Sequence, residues 1–448
     1  MSTRAGKLAA ALAAIVLGAF TGVAHADEIV AEEIIVGEEV IAPPAEAPPP
    51  EEPCCVVPPL GYLDTTFDDI VAWWAKPNRD LKISSGLSTS FQWDFNEPSN
   101  YKVPFRFNTT HSRYFVDLFQ LSLGYRAEPE PGDFGGQIVF DAGRLARREK
   151  SDWNGSGVVP DTWWENKSAA LQQAFAVYNV PIGNGLTLKG GKFVTLNGNE
   201  AIEPWANPTY SRSYLFTWAA PYTHTGGYAT YPVTDMVSLT AGGVIGWDNV
   251  FDNNSAPAAI GEIMIDPSEY ANLKVSGSFG PEQTCRPNPG VLPTLQGQGC
   301  DSNMRGLVDV VLNVDPVEDL HTSINFLWAS EDEASLVNPG RHAQWLGATG
   351  TVWYDFLDCF TVATRGEWFQ DQQGVRLGTT NAAGNPIGAT VWAVTGDLKA
   401  MLSEHVYIRS EYRYDGSPQP IFTATNAAGQ TGAWRGQNTV AVELGYSF

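Results

Sequence analysis

The sequence predicts an all-β protein, a transmembrane antiparallel β-barrel of about 16 strands. Three observations carry that expectation. Apolar and polar residues alternate with a period of two in segment after segment beyond residue 80. The connections between the segments are alternately short and long. Charged residues make up only 17% of the chain and aromatics 12%, with 44 glycines. Fifty acidic against 27 basic residues give a formal charge of -23, which disfavours a nucleic-acid binder.

From the N-terminus, Arg4 and Lys7 precede an apolar run, Leu8 to Phe20, and then Ala24-His25-Ala26. That is the layout of a secretory signal peptide, residues 1–26, removed after Ala26. Residues 27–59 hold nine acidic residues, eight prolines and no Lys or Arg, and read as a disordered linker. Residues 60–80 read as a short amphipathic helix, a candidate plug, with Thr65 or Thr66 as N-cap and Pro77 past its end.

The barrel occupies 81–448. In its first strand Leu81, Ile83, Leu87, Phe91, Trp93 and Phe95 share one face, and Lys82, Ser84, Ser88, Gln92 and Asp94 the other. The remaining strands fall near 113–126, 133–143, 169–180, 185–196, 221–231, 236–247, 258–265, 270–279, 304–314, 319–330, 341–354, 359–370, 389–402, 404–415 and 436–448. Short turns such as Gly183-Asn184 and Asp315-Pro-Val-Glu318 alternate with long loops, among them 96–112, 144–168, 197–220, 280–303, 371–388 and 416–435. An even strand count puts both termini on the short-turn, periplasmic side. A soluble sandwich or propeller has the same period. Charges opposite faces that end in Trp and Tyr favour the membrane barrel.

Several stretches resemble the OmpL-like β-barrel porins: NPTYSRSYLF from Asn207, PYTHTG from Pro221, ATYPVTD from Ala229, GWDNVFDNN from Gly246, Gly280-Pro281-Glu282, and the Arg365-Gly366-Glu367 strand with Asp371. The resemblance spans about 81–448 and implies an outer-membrane porin passing small hydrophilic solutes or ions, bordered by outer-membrane lipid. It is silent on selectivity. Many porins are trimers, and a homo-trimer is the assembly to test, although no residue here argues for it.

A barrel of this size leaves an aqueous channel, so function lies in what narrows it. Loop 197–220, third among the long loops, is the candidate constriction, with Glu200, Glu203 and Arg212 and the aromatics Trp205, Tyr210, Tyr214, Phe216 and Trp218. Arg365 and Arg409 near mid-height, Arg413 further out, and Glu367 and Glu411 are read as pore-lining. The same residues also read as a neutral Arg–Glu ladder that stiffens the wall. If Glu200 and Glu203 face the arginines across the pore, selectivity is weakly cationic and strengthens when Arg365 and Arg409 become Gln. The cluster Arg144, Arg147, Arg148 and Lys150 fits either lipid headgroups or a solvated loop.

Five cysteines are present. Cys285 and Cys300 share one long loop and are the disulfide candidate. Cys54, Cys55 and Cys359 stay open between a bridge and free thiols. An outer-membrane barrel hydrolase and a plugged structural barrel are the competing functions. The histidines His111, His224, His321, His342 and His405 sit singly in the sequence, without hydrolase or metal-binding spacing, and no cofactor is implied. Glu331-Asp332-Glu333 and the Asp248–Asn254 run read as solvated loop acids rather than Ca²⁺ sites.

Overall fold

A computed structural model of the chain describes residues 81–98, 107, 112–147, 169–283, 300–357, 359–381, 383–425 and 431–448. The expected signal peptide, linker and 60–80 helix lie outside these residues, as do Cys54, Cys55, Cys285, Arg148 and Lys150.

Sixteen strands close into one antiparallel barrel. In chain order they are β1 (Leu81–Asp94), β2 (Arg113–Tyr125), β3 (Phe134–Ala142), β4 (Ala169–Val180), β5 (Leu186–Val194), β6 (Thr223–Pro232), β7 (Val237–Val244), β8 (Ala258–Ser268), β9 (Ala271–Pro281), β10 (Met304–Val317), β11 (Leu320–Glu331), β12 (Ala343–Phe356), β13 (Phe360–Asp371), β14 (Ala389–Met401) and β15 (Val406–Gly416). A small separate hairpin, β16 (Phe422–Thr425) and β17 (Thr431–Trp434), interrupts the chain before β18 (Gly436–Ser447) closes the ring against β1. Leu87 pairs with Tyr446 and Asp94 with Thr439 across that seam.

Two of the expected turns are tighter than the sequence suggested. Asp266 and Pro267 belong to β8, and Asp315 to β10. Register shifts after Ile265 and Val314 absorb the irregularity.

The side-chain pattern is that of a soluble protein turned inside out. Leu87 and Phe91 of β1, Val394 and Leu398 of β14, and Val442 and Leu444 of β18 are exposed. The alternate residues Ser88, Ser90, Gln92, Asp94, Thr395, Asp397, Thr439 and Glu443 are buried. Such a surface is stable only against hydrocarbon. A charge placed on the outward face would cost about 2–4 kcal/mol at mid-bilayer.

Candidate functional site: the loop inside the barrel

The loop between β5 and β6, residues 197–220, enters the barrel and crosses it. Asn197 donates to Ser276 Oγ at 2.9 Å, and the Gly198 N–H reaches Asp309 Oδ1 at 3.0 Å. Lys274 donates to the Gly198 carbonyl at 2.5 Å, and Asn199 reaches Ser323. These contacts carry the chain from β5 to β9, β10 and β11. A cavity of only about 20 Å³, room for about one water, separates this stretch from β10 and β11.

The loop then doubles back. Glu203 accepts hydrogen bonds from Gln120 at 2.8 Å and Gln172 at 2.9 Å, tying it to β2 and β4. The short 3-10 turn Pro204–Ala206 follows. It presents Trp205 to β1 at Gly86, where any Cβ would lie 2.3 Å from the indole ring. Glycine at 86 is therefore a requirement of the close approach.

A buried, irregular segment must find partners for every peptide group. Here the wall supplies them in pairs. Arg409 donates to the carbonyls of Asn207 and Pro204, both at 2.8 Å. Arg365 reaches Thr209 Oγ1 at 2.6 Å and the Ser211 carbonyl at 2.5 Å. Arg413 donates to the Arg212 carbonyl at 2.9 Å. Carboxylates on these strands and on β14 between them take the loop N–H groups: Asp397 from Tyr210 at 3.1 Å, Glu411 from Ser211 at 2.8 Å, and Glu367 from Tyr214 at 2.5 Å. Arg212 braces the loop internally through the carbonyls of Ala201, Ile202 and Tyr210.

Each wall guanidinium is also neutralised. Arg409 meets Glu443 at 2.8 Å, directly opposite it on β18. Arg413 meets Asp415 at 2.8 Å and Glu367 at 3.0 Å. Arg365 meets Glu200 at 3.1 Å and Glu367 at 3.4 Å. Arg212, Arg365, Arg409 and Arg413 are all at most 1% exposed. The sequence reading needs correcting here: the arginines face inward, but they lie under the loop instead of on an open lumen. The ion pairs are those of a neutral Arg–Glu ladder, and they hold more than the wall. The ladder fastens the loop, and Glu200 touches Arg365 where a field across the pore was expected.

Further out, residues Leu215–Ala219 form a single π-helical turn that packs against Trp345, Phe369 and Val391. Trp345 Nε1 donates to the Ala219 carbonyl at 3.0 Å. Trp247 meets Trp345 edge to face, and the Arg305 and Arg376 guanidiniums lie 4.6 and 5.6 Å from the Trp247 ring. Glu282, just beyond β9, accepts the Trp247 N–H at 2.8 Å. Burial pushes its carboxyl up to about 7, against the opposing pull of Arg305. The folded-state value is raised, so the group favours the folded state below its unfolded value of 4.5, and that advantage is lost as pH rises to about 7. Thermal unfolding of this packing, followed by tryptophan fluorescence, should therefore shift to lower temperature between pH 5 and pH 8. Glu282→Gln should flatten that dependence, removing a penalty on the order of 3 kcal/mol. A wild-type transition with no pH dependence over this range would contradict the assignment.

The remaining candidates separate cleanly. Arg144 does not reach toward lipid; it turns inward to Asp117 and to Tyr210 Oη, the latter at 2.9 Å. Glu331 is held by Arg305 at 2.9 Å, and Asp248 caps the N–H groups of Tyr222 and Thr223 at 3.0 and 2.8 Å. Among the described residues no group of three or more His, Cys, Asp or Glu is placed to hold a metal. His321 does not stand alone in space: Asp315 lies 2.9 Å from Nδ1 and Asp355 3.4 Å from Nε2. With a carboxylate on each ring nitrogen, neither is left to activate a nucleophile. Cys300 and Cys359 are each disulfide-bonded.

The loop leaves one part of the inner wall uncovered. On β5, β6 and β8 the inward residues Lys189, Tyr228, Thr230 and Glu262 remain partly exposed. Toward the short turns the wall opens into a recess of about 460 Å³ lined by Asp266, Glu269, Tyr270, Asn272, Asn313 and Asp315.

Glu443, Asp397 and Asp415 were missed as site residues in the sequence. Glu443 was within reach of it, since Val440, Val442 and Leu444 face outward and β18 pairs with the strand that carries Arg409.

The comparisons with known proteins agree with this architecture. The family described as Putative beta-barrel porin-2, OmpL-like, matches residues 80–448. No curated protein matches by sequence. Among solved structures, the outer membrane channel DcaP of Acinetobacter baumannii is 12% identical, covers 82% of this chain and 97% of its own, and superposes with a TM-score of 0.51. OprB of Pseudomonas putida is 12% identical over 84% of this chain and 97% of its own, with a TM-score of 0.54. The trimer form of OmpT, an outer membrane protein of Vibrio cholerae, is 10% identical over 82% of this chain and 99% of its own, at 0.51. At these identities the likeness is one of fold.

Proposed function

The chain belongs to the OmpL-like β-barrel porins of the outer membrane, and we propose that loop 197–220 sets the narrowest point of its passage for small hydrophilic solutes. The observation that carries this reading is the buried ladder of Arg365, Arg409 and Arg413 with their carboxylates, which binds the loop's peptide groups across the lumen. The route runs along the uncovered wall, past Lys189 and Glu262, to the acidic recess at Asp266 and Asp315. The short-turn rim faces the periplasm, as short turns do in such barrels, and with it the N-terminus. A homo-trimer is the assembly this reading expects, as in the trimer form recorded for the Vibrio protein.

Selectivity follows from which charges the solute meets. The four buried arginines are matched within the same cluster by Glu200, Glu367, Glu411, Glu443, Asp397 and Asp415, so the wall exerts little positive field. The route itself carries Lys189 and Glu262 and then mostly carboxylates. A weak cation preference results. Its test is the reversal potential in a KCl gradient across a planar bilayer. Wild type should show a small cation preference, and Arg365→Gln with Arg409→Gln, which leaves Glu200 and Glu443 unmatched, should strengthen it while conductance rises. A strongly anion-selective wild type, or one that passes no current, would overturn the proposal.

A further inference from the structure

We propose that the uncovered wall of the passage holds a binding site for organic monocarboxylates with a flat apolar body, of the benzoate kind. The inference rests on the route past Lys189 proposed above and adds which solute that route favours. The arginines under the loop each meet a carboxylate: Arg365 meets Glu200, Arg409 meets Glu443 and Arg413 meets Asp415. Lys192 and Lys274 are each tied to a backbone carbonyl. Lys189 has neither kind of partner among the described residues. Glu128, in the turn after β2, acts on it only from beyond ion-pair distance. What its ammonium meets is aromatic: Nζ stands 4.3 Å from the centre of the Phe175 ring and 5.6 Å from that of Tyr228.

Register explains the arrangement. Residues directly opposite in neighbouring strands share a face, so the inner wall is built of rows. One inward row runs Phe175, Gly191, Gly226 and Val244 across β4 to β7. The next, one step toward the short turns, holds Lys189, Tyr228, Gly242 and Ile260. Three glycines therefore put no side chain beside the two rings, and Phe175 and Tyr228 stay partly exposed to the route. Phe193 backs Tyr228 edge to face with centroids 4.8 Å apart, and with Val244 and Ile260 it makes the floor apolar.

The inner face of a water-filled barrel is ordinarily polar. Exposed rings beside an unpaired cation fit a solute that carries both a negative charge and an apolar body. The cation sets the sign, since a carboxylate is ionised at neutral pH and accepts a charge-assisted hydrogen bond. The rings set the body, because a planar ring packs on them offset or edge to face. The surroundings set the number of charges. Glu262 lies in the following row, opposite Thr240, and the recess with Asp266, Glu269 and Asp315 comes after it. One cation answers one carboxylate, and these acids repel a second. The same acids maintain the weak preference for small cations along the route as a whole.

The test reads binding directly, by fluorine NMR of para-fluorobenzoate with the full mature protein in detergent. Wild type should broaden the probe's line saturably, beyond the effect of protein-free micelles. Lys189→Gln should weaken binding on the order of tenfold, the worth of one charge-assisted contact, and Lys189→Arg should largely restore it. Phe175→Leu keeps an apolar side chain but removes the ring, and should weaken binding several-fold. The comparison probes are para-fluorobenzamide without the charge, fluoroacetate without the ring, and fluoroterephthalate with a second charge. Each should bind several-fold more weakly than para-fluorobenzoate. All variants are compared as folded, heat-modifiable protein. Equal binding by wild type and Lys189→Gln would overturn the inference, as would fluoroacetate binding as well as para-fluorobenzoate, or no saturable broadening at all. Binding is read in micelles, so a protein that binds the probe but passes no current contradicts only the porin reading. One that conducts without binding the probe contradicts only this site.

Discussion

Replacing Glu443 with alanine should leave much of the protein unable to reach its folded, heat-modifiable form. The Glu443 side chain is fully buried. It accepts hydrogen bonds from Ser88 at 2.6 Å and Tyr407 at 2.8 Å as well as from Arg409. Alanine removes the only carboxylate described in contact with Arg409 and orphans two hydroxyl donors. Breaking a buried pair in this way costs about 3–5 kcal/mol, because the remaining charge stays out of water. That is a large share of the ~5–15 kcal/mol by which folded domains are stable. Glu443→Gln keeps an acceptor and should fold better than the alanine variant. Arg409→Met with Glu443→Leu removes both charges, so folding should recover although the loop has lost its grip at Pro204 and Asn207. The readout is the fraction of folded band on unheated gels after refolding in detergent. A Glu443→Ala protein that folds like wild type would remove the buried pair from the account.

The second large effect is on current. Excising residues 200–214 and closing the gap with a short Gly-Ser linker removes the loop from the lumen but keeps the wall pairs Arg409–Glu443 and Arg413–Asp415. Water then takes the place of the loop carbonyls, so the guanidiniums remain solvated and the barrel should still close. What changes is cross-section. A sixteen-strand barrel without an inserted loop is wide enough for an open aqueous channel. Conductance should rise several-fold, and larger solutes should pass.

Most of this fold was legible because lipid outside and polar groups inside impose a strict period of two. Strands such as β11 and β13 fall within a residue or two of the boundaries the alternation suggests. The hairpin β16–β17 was not legible, since its Ala, Thr and Gly residues alternate no apolar face. The constriction candidate was visible as length plus aromatics: Trp205 against Gly86 and Tyr214 donating to Asp415 at 2.7 Å are uses that such residues invite. The fate of Arg365 and Arg409 was not. Period two shows only that a residue points inward. Whether it meets water or a folded-in backbone depends on the path of a loop about 150 to 200 residues away in sequence. Arg144 illustrates the same limit, since its place in a basic run hid its partner Asp117 on a neighbouring strand.

We propose that the ladder-bound loop limits the pore. Single-channel recording of wild type beside the variant lacking residues 200–214 tests it most directly. Wild type should show small, steady openings, and the variant a several-fold larger unit conductance. Equal conductance in the two proteins would contradict it and place the barrier in another part of the barrel.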